Sequence, residues 1–271
     1  SSSKMQKAKR ILSDTEPYYY NMQAAISRIL RHMPDTEHPF FSIRHKIAEE
    51  DRKIGCIVVT GDKGMAGAYN HNIQKMTEQF MAEHEHCKLY VLGMVGRQYF
   101  TKKHMDIAEN FPYTVQKPTM HRARLITEEI VRAFLERELD EIHIVYTQML
   151  NAMAMENVNM QLLPLKKADF KVGQIPADIY QEEIKADTSM QDILEHVVPN
   201  YVNGFIYGAL VESFASEHNS RMMAMQAATD SAKEMLQTLS IEYNRVRQAA
   251  ITQQITEVIG GAKAQKKKKK K

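Results

Sequence analysis

The chain has 271 residues, 44% of them hydrophobic, and a formal net charge of +3. That length makes one large or two small domains, and with no run of 18 apolar residues and no secretory core at its start, neither a membrane span nor a signal peptide is expected. Six of the positive charges are the consecutive lysines Lys266–Lys271, and subtracting them from +3 leaves −3, so the body is not basic and nucleic acid is excluded as the main partner.

The first segment, 1–44, carries Met5, Ala8, Leu12, Thr15, Tyr19, Met22, Ile26, Ile29 and Met33 at alternating spacings of three and four. That is the heptad seam of a helix that packs along one narrow face. Lys4, Lys7, Lys9, Arg10, Arg28 and Arg31 occupy the other faces. Pro17 interrupts the segment and predicts a kink or short break, since an interior proline removes a backbone hydrogen bond at a cost of about 3 kcal/mol.

Residues 45–187 read as a separate α/β domain. Ile54–Thr60 is a β-branched apolar run that ends in Gly61-Asp62-Lys63-Gly64, a buried strand closed by a turn. A helix over 70–83, a strand over 88–93, a short helix over 97–103 and an amphipathic helix over 122–138 follow. Strands are then predicted over 141–147 and 158–165. Strands alternating with helices imply a mainly parallel sheet with helices on its faces. The loop Gly61-x-x-Gly64-x-x-Gly67 lacks both the dinucleotide fingerprint and the Gly-Lys-Ser/Thr ending of a P-loop. Positive backbone dihedrals and close approach of another helix account for its glycines. Cys56 and Cys87 fall in different strands without metal-ligand spacing and read as small core residues of a reducing compartment. The eleven histidines are scattered and accompany no nucleophile motif, so neither a metal site nor a catalytic residue is expected.

The last segment, 188–262, contains almost nothing that breaks a helix. Met222, Met225, Thr229, Ala232, Leu236, Leu239, Tyr243, Val246 and Ala250 form one stripe. From Tyr201 to Ile259 such a helix spans about 90 Å, against about 50 Å for the N-terminal segment. The two ends of the chain are expected to pair as an antiparallel coiled coil, with the longer helix overhanging its partner; a bundle packed against the middle domain is the alternative. Residues 263–271 are expected to stay unfolded, because like charges repel and bury nothing.

Three stretches carry a resemblance to a known family: Thr60–Asn70, Ala215–Ala232 and Tyr243–Ala262. Together they closely resemble the gamma subunits of rotary F-type ATP synthases, with a likeness running from Ser1 to about Ala264. Ala66 stands where the family usually has cysteine, the regulatory cysteine pair of the chloroplast form is absent, and the lysine run is not a family feature. The resemblance implies a long antiparallel coiled coil of the terminal helices and a central Rossmann-like α/β domain. It implies a non-catalytic rotor that transmits torque between a membrane ring of c subunits and the nucleotide sites of an alpha–beta hexamer, with epsilon as a further partner. ATP, ADP and magnesium belong to partner subunits, and this chain is expected to bind no cofactor. The expected place is the cytoplasmic face of a bacterial plasma membrane, reached only through the c ring. By the same resemblance Arg247, Gln248 and Thr252 are polar catch points for the hexamer, and Ile255, Val258 and Ile259 belong to an apolar bearing. Without the resemblance, those polar residues read as a solvated helix face. Tyr180, Glu182, Glu183 and Asp187 are placed at a foot that approaches the c ring. Two other readings remain open on the residues alone: a nucleotide-dependent enzyme with its ligand at Gly61–Gly67, and a coiled-coil scaffold that dimerises through its N-terminal stripe.

Overall fold

A computed structural model describes residues 2–32, 38–41, 47–109, 111, 115, 117–151, 154–170 and 190–268. The chain divides into two compact units, Ser1–Met222 and Met223–Lys271.

The first unit is built on a four-stranded sheet. Its strands are β1 (Ile54–Val59), β2 (Cys87–Leu92), β3 (Glu141–Met149) and β4 (Met155–Leu163), in the order β2-β1-β3-β4. β1 pairs in parallel with both β2 and β3, and β4 runs antiparallel to β3 at the edge. All six residues of β1 are buried, as a strand covered on both faces demands. Alternate side chains divide between two cores. Ile57, Val59, Leu92 and Ile144 meet Ala123, Ile126, Ile130 and Phe134 of α4 (Met120–Leu135), Ile26 and Ile29 of α1 (Ser2–His32), and Leu194, Val198, Val202 and Ile206 of α5 (Met190–Lys268). Ile54, Cys56, Val58, Leu89 and Val145 meet Ile73 and Phe80 of α2 (Tyr69–Glu83) and Phe100 of α3 (Met94–Lys102). This is the expected α/β unit with a mainly parallel sheet. Both cysteines are free thiols in the second core.

α1 runs through Pro17 without the break anticipated there, and that proline is exposed, so only one backbone bond is forfeited. Of its seam, Met22 packs on the core and Ile26 and Ile29 are buried, in register with the heptad. The side chains of Met5, Ala8, Leu12, Thr15 and Tyr19, and the whole of Met33, lie outside the described residues. Ile11 packs with Val211 and Ala215 of α5, and the Tyr18 ring lies beside Gly204.

The second unit is helical through Lys268, and every side chain from Met225 to Lys263 is exposed. These 39 residues span about 60 Å at the helical rise. The helix runs six residues beyond Ala262, into the lysine run that charge repulsion was expected to keep unfolded. Alanine, glutamine and lysine are all strong helix formers, and cations in a last turn favour the negative end of the helix dipole. The stripe is bare here: Leu236, Leu239, Tyr243 and Val246 are 54–68% exposed. No helix among the described residues is long and apolar enough to cross a membrane.

Candidate functional site

The glycine loop lies at the carboxyl end of β1, between its neighbours β2 and β3, where doubly wound sheets hold their ligands. Here α5 occupies that place. Thr147 at the end of β3 donates its N–H to Ser213 Oγ at 3.4 Å, and its carbonyl accepts from Ser216 Oγ at 3.4 Å. Tyr69 is buried among them and bonds to Ser213 and Thr147; burial and the Glu217 charge push its hydroxyl pKa up. A Cβ on Gly61 would stand 2.9 Å from Glu217 Oε1 and 3.2 Å from Asn70 Oδ1, so a side chain there would displace the ends of both. Glu217 pairs with Arg221 one turn on, and Arg221 Nη2 donates to the carbonyls of Lys63 at 3.2 Å and Gly64 at 3.4 Å.

The rest of the loop is tied inward. Gly61 N–H donates to Asn70 Oδ1 at 2.8 Å, Asp62 Oδ1 accepts from Met94 N–H at the start of α3, and Asp62 Oδ2 accepts from Val115 N–H. Thr60 Oγ1 donates to the Leu92 carbonyl and accepts from Gly96 N–H. The three glycines of the motif differ in what they do. Gly61 lies against the Glu217 and Asn70 side chains, Gly67 has φ +56°, and Gly64 has open space around it and no positive φ. Ser213 and Ser216 thus fasten α5 to β3, and Glu217 and Arg221 fasten it to the loop after β1, just before the second unit begins. Sequence reasoning assigned them no role. Their only trace is spacing: polar residues three and four apart in a stretch whose neighbours Val211 and Ala215 are buried.

The Glu217–Arg221 pair has side chains only 10% and 14% exposed. Removing one partner of such a pair leaves a charge in a dry site, at a cost of about 3 kcal/mol. Arg221→Met is therefore expected to lower the urea midpoint of the first unit by a corresponding amount. The double variant Glu217→Gln/Arg221→Met should recover part of that loss.

In the second unit Arg247, Gln248, Thr252, Ile255, Val258 and Ile259 are all exposed. At 100° per residue they fall within an arc of about 140°, one face of the helix. Thr252 Oγ1 donates back to the Gln248 carbonyl at 2.8 Å. Ile255, Val258 and Ile259 are 51–72% exposed, too much apolar surface on one helix face to be left in water without a purpose. Tyr180, Glu182, Glu183 and Asp187 lie outside the described residues. No group of three or more metal-ligating side chains occurs among the described residues.

A protein-family model described as ATP synthase matches residues 1–265. The chain is 44% identical over 269 residues to the ATP synthase gamma chain of Ruminiclostridium cellulolyticum, covering 97% of this chain and 90% of that one. It is 38% identical over 270 residues to the ATP synthase gamma chain of Acetivibrio thermocellus, covering 98% and 91%. With the sodium ion specific ATP synthase gamma chain of Acetobacterium woodii it shares 32% over 276 residues, covering 97% and 90%. In fold it is similar to a chain of the Tetrahymena thermophila mitochondrial ATP synthase central stalk and c ring, with a TM-score of 0.54, 16% identity and coverage of 84% and 98%. A chain of the Euglena gracilis mitochondrial ATP synthase gives a TM-score of 0.56 at 16% identity, with coverage of 97% and 95%. A family model across nearly the whole chain and relatives well above 30% identity lead to one conclusion: this chain belongs to the ATP synthase gamma-chain family.

Proposed function

We infer that this chain is the central-stalk rotor of an F-type ATP synthase, passing torque between an ion-driven c ring and the nucleotide sites of an alpha–beta hexamer. It makes and breaks no covalent bond itself. One observation carries the reading beyond family membership: a helix fastened to β3 and the loop after β1 through Ser213, Ser216, Glu217 and Arg221 continues as 39 residues with every side chain bare. A helix of that kind has no core of its own, so its apolar face is there for other subunits. Turning an asymmetric helix face past each catalytic subunit biases that subunit's conformation, and with it its nucleotide affinity.

The partners on this reading are the alpha and beta subunits around the second unit, and epsilon and the c ring at the first. Nucleic acid is not a partner, and the membrane is reached only through the c ring, on the cytoplasmic face of a bacterial plasma membrane. ATP, ADP and magnesium belong to the partner subunits. The filling of the sheet's ligand crevice by α5 supports a chain that binds no nucleotide at Gly61–Gly67. We further infer an antiparallel coiled coil of the terminal helices. The order of contacts supports it: Ile11 beside Val211 and Ala215, and Tyr18 beside Gly204, run in opposite directions along α1 and α5. Arg247, Gln248 and Thr252 serve as polar catch points, Ile255, Val258 and Ile259 as the bearing, and Tyr180, Glu182, Glu183 and Asp187 as the foot on the c ring.

Replacing both Arg247 and Gln248 by alanine tests the catch. Exposed helix positions change stability by no more than about 0.5 kcal/mol, so the fold survives. Each lost polar contact to the hexamer removes about 0.5–1.5 kcal/mol, so ATP-driven ion pumping by the reconstituted complex is expected to fall several-fold while hydrolysis continues. Unchanged pumping would remove these side chains from the catch, and ATP turnover by the pure isolated chain would end the rotor reading.

A further inference from the structure

A buried histidine of the first unit belongs neither to the exposed helix nor to the glycine loop. His38 is only 7% exposed. Its Nδ1 accepts the N–H of Phe40 at 3.3 Å, and its carbonyl accepts the N–H of Phe41 at 2.9 Å. One residue thus closes the turn Pro39–Phe41 with both side chain and backbone. An acceptor at Nδ1 fixes the neutral ring with its proton on Nε2. The turn is a plug. The His38 ring stacks on Phe40 at 5.1 Å between centroids, and Phe40 stacks on Phe134 of α4 at 6.3 Å. The Phe40 carbonyl accepts from the N–H of Leu165, just past β4, at 2.6 Å. Phe41 meets Phe170 edge-on, and Phe170 meets Tyr201 of α5 in the same way.

A second proton on the His38 ring has to go to Nδ1. That turns the acceptor into a donor facing the Phe40 N–H, so the bond breaks as the charge arrives. The charge also arrives among apolar rings, since Phe40 and Phe134 are each 1% exposed. Among the described residues Glu195 of α5 is the only charged group that acts on the ring. It favours the cation, but burial outweighs it and holds the His38 pKa below the ordinary histidine value. We propose that His38 is an acid-released latch, which seats Phe40 and Phe41 against α4 and α5 while neutral and frees them when a proton from water adds to Nδ1. Folding favours the neutral ring, so the latch is fully set above the ordinary histidine value of about 6.5 and is lost as pH falls through the lower folded value. It needs no partner subunit, and the chain alone displays it.

Nitrogen-15 NMR of the histidine-labelled full chain, from about pH 8 to about pH 5, reads both tautomer and titration. His38 is expected to carry its proton on Nε2 at the upper end and to titrate below the ordinary histidine value. Hydrogen exchange at the Phe40 N–H, corrected for its intrinsic rate, should speed about tenfold per pH unit on the approach to that titration. His38→Asn keeps a side-chain acceptor for the N–H two residues on and cannot titrate, so its Phe40 exchange should be flat across the range. If that variant does not fold, the tautomer and the Phe40 exchange of the unaltered chain decide. A proton on Nδ1 at the upper end, Phe40 exchange that ignores the titration, or the same pH response in His38→Asn would each overturn the proposal.

Discussion

Gly93→Ala is expected to leave the first unit unable to hold its fold at growth temperature. Gly93 follows β2 with φ +97°, a conformation that side chains other than glycine rarely adopt. A Cβ there would fall well inside van der Waals contact of the Thr60 carbonyl oxygen, and 2.5 Å from Thr60 Oγ1. Thr60 has no room to retreat, because its N–H and its hydroxyl both donate to the Leu92 carbonyl, at 2.8 and 2.9 Å. Strain of this kind, added to a steric clash with backbone, costs above about 4 kcal/mol, a large part of the 5–15 kcal/mol that holds a typical domain together. Urea unfolding followed by circular dichroism measures it. Gly64→Ala is the control: that glycine has nothing within 4 Å and no positive φ, so its variant should keep the unaltered midpoint. A Gly93→Ala chain with the same midpoint as Gly64→Ala would refute this account of how the loop is held.

Ser240→Pro is expected to uncouple the complex while leaving the first unit intact. Ser240 lies in the second unit, in the exposed part of α5. Proline removes the N–H that bonds the carbonyl four residues back and clashes with it, at about 3 kcal/mol. No described side chain between Met225 and Lys263 is buried, so nothing in the chain's own packing offsets that loss. The first unit should melt as before, the helical signal of the chain should fall, and ATP-driven pumping by the assembled enzyme should drop at least about tenfold. Ser240→Ala is expected to behave as the unaltered chain. Full pumping by the proline variant would mean that torque does not travel through a continuous helix.

The sheet was legible in the sequence because burial on both faces leaves continuous apolar runs. Ile54–Val59 reads as a strand for the same reason that all six of its residues are buried. β4 announced itself less clearly. It begins at Met155, three residues ahead of its apolar portion, because an edge strand buries little there and is fixed by pairing with β3. The heptad of α1 correctly marked Ile26 and Ile29 as a packing face. Periodicity names a face but not its occupant. Leu236, Leu239 and Tyr243 carry the same spacing and are exposed here. The glycine motif shows the same limit, since one spacing holds a close approach at Gly61, a positive φ at Gly67 and neither at Gly64. Ser213, Ser216, Glu217 and Arg221 went unremarked, because only the fold decides which polar side of a helix is turned inward.

The most direct test of the rotor is to watch it turn. Cys56 and Cys87 are the only cysteines and both are buried, so Lys102→Cys, at an exposed site on α3, gives one reactive thiol for a bead. With the alpha–beta hexamer fixed to a surface, the bead should revolve in one direction for as long as MgATP is hydrolysed. Hydrolysis at the unaltered rate with the bead held at a fixed angle would contradict the account.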